Sequence, residues 1–331
     1  MNTRLALLCG LAVGGAIALE GPAQAAERPL QQVQLLLNWF PEAEHGGFYA
    51  ALVHGYYKEA GLDVKIVSGG PDISVLPQVA SQKVTFGISN GDNILFGRAQ
   101  EVPIVCVMAP LQVSPRCIMV HKKAGIKSFA DLKNMTIAMS NGAAFSFYLR
   151  KKYPLTNVKI VPYPGNVAQF LLNENYAQQG YLFSEPFTAE SKGGDPECLM
   201  LSDIGFNPYT SCLVVNEKFA KTQPAIVRGM VQASVRGWAK YLESPEETNR
   251  AIHKLNPEME LDVLAYGAKT IKPLVLDPVA KKEGIGTMSQ KRWSDLLQQL
   301  VEIDQLSAGD VRVDAVFTTE FLRPAKSAEK N

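Results

Sequence analysis

Cysteine and histidine are scarce, with five and four in 331 residues, and no C-x-x-C or Cys/His metal spacing occurs. That shortage excludes a small disulfide-stapled scaffold and a structural zinc module. Charge of one sign is missing as well. Lys and Arg number 33 against 32 Asp and Glu, so neither the basic face of a nucleic-acid binder nor a polybasic membrane patch is present. The sequence also lacks G-x-x-x-x-G-K-[ST], H-E-x-x-H and G-x-G-x-x-G. Its Gly-Gly pairs at 46–47, 69–70 and 193–194 supply no phosphate cradle. After residue 25 no apolar run reaches the roughly 18 to 20 residues of a spanning helix. No catalytic residue, cofactor or metal ligand is expected, and no nucleic-acid partner.

The first 25 residues have the grammar of an export signal. Met1–Arg4 form a positive start, Leu5–Leu19 an apolar run, and Ala23-Gln24-Ala25 an A-x-A site, which places cleavage before Ala26 and the mature protein in the periplasm. Cys106, Cys117, Cys198 and Cys212 remain after cleavage. An oxidising compartment permits two disulfides, but all four lie in apolar runs where free buried thiols are common, and free thiols are the expectation.

Residues 35–70 carry the most information. An apolar run enters the polar, aromatic turn Asn38-Trp39-Phe40-Pro41, then Gly46-Gly47 opens an Ala/Tyr-rich helix, Gly61 stops it, and a β-branched run follows at 64–67. This is a βαβ unit of an open α/β sheet, where ligands sit beyond the carboxyl ends of strands, and Trp39 stands at that end. Alternating strand and helix signals continue to residue 215, with strands expected at 84–89, 103–108, 117–121, 136–139, 158–162, 179–183, 198–201 and 212–215. Long helices follow at 225–242, 245–255, 261–272 and 289–303. If the strands at 117–121 and 212–215 cross between lobes, lobe one is 27–118 plus 215–325 and lobe two is 119–214. The remainder, 326–331, reads as a disordered tail. Two crossings form a hinge, and a cleft at a domain interface is a preferred ligand site.

The segments LNWFPEAEHGGFYAALVHGYYKEAGLDVKIV, VTFGISNGD, GIKSFADLKNMTIAMSNG and YLFSEPF resemble those of ABC-transporter substrate-binding proteins of the thiamine-pyrimidine-precursor type, the NMT1/THI5-like group. The resemblance spans nearly the whole mature chain. It is most specific at N-W-F-P-x-x-x-H-x-G-x-Y from Asn38 to Tyr49. It implies an α/β, two-lobed type-II periplasmic binding fold that closes on a small aromatic heterocycle and docks on a permease as a monomer.

On that reading Trp39 offers a flat face for stacking on a pyrimidine, the alternative being an ordinary core Trp. His45 either meets a ring nitrogen or caps the next helix. Asn90 and Asp92 lie on a strand-to-helix loop, where they bind ligand amino groups or simply cap. Ser140 and Gly142 frame a turn whose helix N-terminus suits an oxygen. Glu185 is implied by the resemblance to face the amino-pyrimidine edge. Tyr209 is the first choice for the other face of the sandwich, with Tyr148, Tyr163 and Tyr181 as alternatives. Asn38 completes the set, while Arg98, Arg116 and Arg150 have no clear claim. The synthases of fungal thiamine biosynthesis use a histidine and a cysteine-rich motif; this chain has no histidine between His54 and His121 and no cysteine cluster. Another aromatic or anionic solute, such as riboflavin, nitrate or an alkanesulfonate, stays open as ligand.

Overall fold

The computed structural model describes residues 29–71 and 73–323; the expected signal and C-terminal tail lie outside the described residues. The chain begins with β1 (Gln31–Leu36), α1 (Gly46–Val53), α2 (Tyr56–Glu59), β2 (Leu62–Val67), α3 (Val75–Ala80), β3 (Phe86–Ser89), α4 (Gly91–Ala99) and β4 (Ile104–Met108). Next come β5 (Arg116–His121), β6 (Thr136–Ala138), α5 (Ala144–Lys152), β7 (Lys159–Val161), α6 (Ala168–Leu172), β8 (Tyr176–Tyr181), α7 (Glu185–Ser191) and β9 (Pro196–Met200). It finishes with β10 (Cys212–Asn216), α8 (Glu217–Thr222), α9 (Pro224–Glu243), α10 (Glu246–Leu255), α11 (Leu261–Val275), α12 (Pro278–Glu283) and α13 (Gln290–Glu302).

The strands make two five-stranded mixed sheets, ordered β2-β1-β3-β10-β4 and β7-β6-β8-β5-β9. In each, the strand entered by a crossing from the other sheet runs antiparallel to its neighbours: β10 between β3 and β4, and β5 between β8 and β9. The chain passes between sheets through 109–115 and back through 201–211. Because β10 and β5 run against their partners, Ser211, just before β10, and Arg116, the first residue of β5, lie at the edge where β3 and β8 end. Those two edges meet, with Asn90 Nδ2 donating to the Tyr181 hydroxyl at 3.3 Å.

Gly46 and Gly47 are required by packing. A Cβ on Gly47 would lie 2.1 Å from the Trp238 ring, one on Gly46 2.1 Å from Tyr241, and one on Gly237 2.1 Å from the Gly47 carbonyl. The backbones of α1 and α9 therefore touch, and Phe48 meets Trp238 edge-to-face at 5.9 Å. This contact buries the first βαβ unit and fixes the start of α1 beneath the Trp39 turn. Gly69 braces that turn from the other side: its N–H donates to the Trp39 carbonyl at 3.0 Å, and a Cβ there would sit 2.2 Å from the Leu37 carbonyl.

The four long C-terminal helices lie within a few residues of their expected bounds. The strand expected at 179–183 instead ends at Tyr181, because Ser184 opens a helix with Pro186 in its first turn. Glu185 is thus a helix residue, the first of α7. All four cysteines among the described residues are free thiols.

Candidate functional site

The facing sheet edges enclose a connected set of polar side chains. Asn38, just past β1, donates through Nδ2 to Glu44 at 3.1 Å, and its Oδ1 accepts from His45 Nε2 at 3.0 Å. Ser211 Oγ donates to the same Glu44 oxygen at 2.9 Å, and the Ser211 N–H reaches Asn90 Oδ1 at 3.3 Å. From Asn90 the chain continues to Tyr181, whose hydroxyl also accepts from Arg116 Nη2 at 3.1 Å. Glu185 accepts from the Tyr181 N–H at 2.8 Å and from the Tyr163 hydroxyl at 2.7 Å. Gly180 makes room for this carboxylate, since a Cβ there would come within 3.4 Å of it.

Electrostatics follow from burial. Glu42 is only 6% exposed, and burial first, then the charges of Glu44 and Glu185, push its carboxyl well above the ordinary range. Asp92, in the first turn of α4, is raised mainly by burial; its Oδ1 is buried without a partner. Burial lowers His45, so its ring stays neutral, donates through Nε2 and leaves Nδ1 an unpartnered acceptor. Burial would also lower Arg116, but Tyr181, Glu185, Asp92 and Glu44 together reverse it. Its guanidinium lies 4.3 Å from the centre of the Tyr181 ring and 5.0 Å from that of Phe145. Three carboxyl groups, Glu185, Asp92 and Glu44, thus act on one guanidinium. Acceptors outnumber donors, and a group that brings N–H donors or positive charge completes the balance.

The structure joins Asn38, His45, Asn90 and Glu185 in one network and sets Asp92 within electrostatic reach of Arg116. Trp39 is half-buried and meets the exposed Phe40 edge-on at 5.6 Å. Ser140 and Gly142 lie in an exposed turn before α5, with the Ser140 N–H held by Gln179 at 2.7 Å and open space over Gly142. Tyr209 is placed differently: it packs on Trp293 at 5.4 Å, under Arg292, and its hydroxyl accepts the Ser289 N–H. Its carbonyl, bonded to the Gly91 N–H at 2.8 Å, ties the returning segment to α4.

Sequence reasoning gave Arg116 no role, yet the network turns on it. The signal available was its place at the head of a strand, next to a proline turn. Glu42, Glu44 and Ser211 were likewise absent from the expected set. Residues 87–91 spell G-x-S-x-G, the lettering of a nucleophile elbow. Ser89, however, closes β3 in ordinary extended backbone, outside the left-handed residues, and no histidine bonds to it among the described residues.

A family model described as "NMT1/THI5 like" matches residues 42–248. A riboflavin-binding protein of Chloroflexus aurantiacus is 25% identical over 91% of this chain and 89% of its own length. A formylaminopyrimidine-binding protein of Halalkalibacterium halodurans is 20% identical over 87% of this chain and 90% of its own. The curated relatives also include 4-amino-5-hydroxymethyl-2-methylpyrimidine phosphate synthases. Among solved structures, the alkanesulfonate-binding protein SsuA of Xanthomonas axonopodis pv. citri superposes with a TM-score of 0.66 at 14% identity, covering 89% of this chain and all of that one. The α/β fold is that of the type-II periplasmic binding proteins.

Proposed function

Because the chain belongs to the NMT1/THI5-like family, we propose that it is the solute-binding component of an ABC importer and that it captures a pyrimidine precursor of thiamine, hydroxymethyl- or formylaminomethyl-pyrimidine. The two sheets are the cores of the two lobes, which divide within the crossings at 109–115 and 201–211 rather than at 118/119 and 214/215, because β5 lies wholly in the second sheet and β10 wholly in the first, and they close on the ligand. The signal at 1–25 delivers the protein to the periplasm, where the loaded monomer docks on its permease. Capture involves no chemistry on the ligand.

The observation that carries this reading is the surplus of carboxyl groups around the single Arg116: Glu44, Asp92 and Glu185 act on its guanidinium, and the buried Glu42 lies against Glu44 and Glu185. An amino-pyrimidine presents N–H donors to such acceptors and a ring nitrogen or carbonyl to the guanidinium. A sulfonate or nitrate would meet repulsion there. Trp39 supplies a stacking face, Ser140 and Gly142 an open turn on the second sheet, and Tyr181 is the aromatic ring nearest the guanidinium. Riboflavin is the second reading, favoured by the relative that matches 91% of this chain.

A thermal-shift panel of the two pyrimidines, thiamine, riboflavin, taurine and nitrate tests the proposal. A ligand at 100 times its Kd adds about 2.7 kcal/mol, which raises the Tm of a chain this long by roughly 5 °C or more. A shift with the pyrimidines supports the first reading. A shift with riboflavin alone moves the ligand, and a shift with taurine or nitrate alone overturns the electrostatic argument.

A further inference from the structure

On the face of the second sheet that α6 and α7 cover, four sulfur side chains come together across two strands. Cys117 and Met119 alternate along β5, and Cys198 and Met200 along β9, so each pair projects from one face. The antiparallel register sets Cys117 opposite Met200 and Met119 opposite Cys198. The result is a two-by-two array of two thiols and two thioethers. No sequence spacing announces it, because C-x-M repeated 81 positions apart becomes a cluster only once the strands pair.

Three further observations bear on its chemistry. Cys117 and Met119 are fully buried, whereas Cys198 and Met200 are partly exposed on β9, the edge strand of the sheet, so the array has an entrance. Both thiols are free, and burial followed by the adjacent Cys198 thiol pushes the Cys117 thiol well up, while Arg116 pulls it down. Gln178 lies opposite Met119 on the other flank of β5, on the same face, and is fully buried with neither atom of its carboxamide hydrogen-bonded. An unpaired buried amide costs about 1 to 3 kcal/mol. Thiolates beside it would accept the N–H bonds it lacks.

We propose that Cys117, Met119, Cys198 and Met200 form a binding site for a cuprous ion. Thiolate and thioether sulfur select Cu(I) over harder divalent metals. Each thiol that ligates releases its proton to solvent, copper stays monovalent, and two thiolates on one Cu(I) leave a net charge of −1 that Arg116 offsets and Gln178 Nε2 solvates. Both thiols become ligands when the metal replaces their protons. The site borders the proposed solute cleft, sharing Arg116 with it, but none of its four ligands belongs to that cleft, and it stands whichever solute the cleft takes.

The test is competition for Cu(I) between the full-length mature protein, reduced and held anaerobically, and bicinchoninate, with X-ray absorption of the loaded protein. The expected result is one Cu(I) per chain with a sulfur-only shell, undiminished in Cys106→Ala/Cys212→Ala, which removes the other pair of thiols. Met119→Leu/Met200→Leu conserves volume and keeps the fold; it should weaken Cu(I) binding. Gln178→Leu should weaken it by roughly 10-fold, as for other hydrogen-bond partners of metal ligands. Failure to hold Cu(I) against the chelator, unchanged affinity in the double methionine variant, or a native Cys117–Cys198 disulfide that resists mild reduction would each overturn the site.

Discussion

Glu42 sits in the crowded corner of the site, with Glu44 and Glu185 acting on it and almost no solvent around it. Its raised folded-state value means the folded protein holds a proton that the unfolded chain releases near the ordinary value of 4.5. Stability from that proton is fully present below 4.5 and lost as pH rises through the folded value, falling by about 1.4 kcal/mol for each pH unit between the two. His45 tilts the other way: its value is lowered from 6.5, so its contribution is present above 6.5 and lost as pH falls. Glu42→Gln keeps the shape and donor of the protonated acid. Its Tm should match that of the parent at pH 4 and exceed it at pH 8; an equal gap at both pH values would show that the carboxyl is not the titrating group. At Arg116 the expected loss is of recognition. Arg116→Lys removes the planar group stacked on Tyr181 and its fork of donors, and should lower ligand affinity by about 10-fold or more, read by calorimetry. Trp39→Ala should abolish ligand binding and leave the melting profile of the empty protein unchanged, since the half-buried ring lies outside the core.

At the scale of elements, the contact of α1 with α9 is where the first lobe is most tightly determined. Gly47→Ala would place a methyl 2.1 Å from the buried Trp238 ring, and Gly237→Ala one 2.1 Å from a backbone carbonyl that cannot rotate away. Overpacking of this kind costs about 1 to 3 kcal/mol. Gly237→Ala should be the worse of the two, because its obstacle is backbone; urea unfolding of both variants checks the order. The same contact shows what sequence patterns convey. Periodicity and breakers located nearly every strand and the four long helices, because each is a local consequence of side-chain spacing. The Gly-Gly pair was also visible, but its cause, Trp238 and Tyr241 on a helix more than 190 residues further along the chain, was not. The strand expected at 179–183 overran its end at Tyr181 because Ser-Glu-Pro reads equally as a turn and as the first turn of a helix. Arg116 escaped notice for a similar reason. Its importance arises from lying beside Tyr181 in an antiparallel pair, and register between distant strands is not encoded in either strand alone.

For the whole molecule, the hydrogen bonds that cross between the sheets determine how far apart the lobes can stand. The Asn90 carboxamide bonds to Tyr181 on one sheet while accepting from Ser211 on the returning segment of the other. Ser211 holds the left-handed conformation at φ +56°, a position that costs a non-glycine residue energy, and its hydroxyl is anchored on Glu44. The return crossing is therefore a strained residue pinned by the site itself, and the geometry of the crossing is coupled to the groups proposed to read the ligand. Ser211→Gly relieves the backbone and removes the pin together, so the empty variant should populate more open arrangements. Small-angle scattering should give it a larger radius of gyration than the parent without ligand, with the two converging at saturation, while its ligand affinity falls because closure must now order a looser crossing. Ser211→Ala separates the two effects: it keeps the strain and loses only the hydroxyl. Expansion in the alanine variant equal to that in the glycine variant would assign the effect to the Glu44 hydrogen bond. Expansion in neither would mean that the crossing does not govern lobe separation.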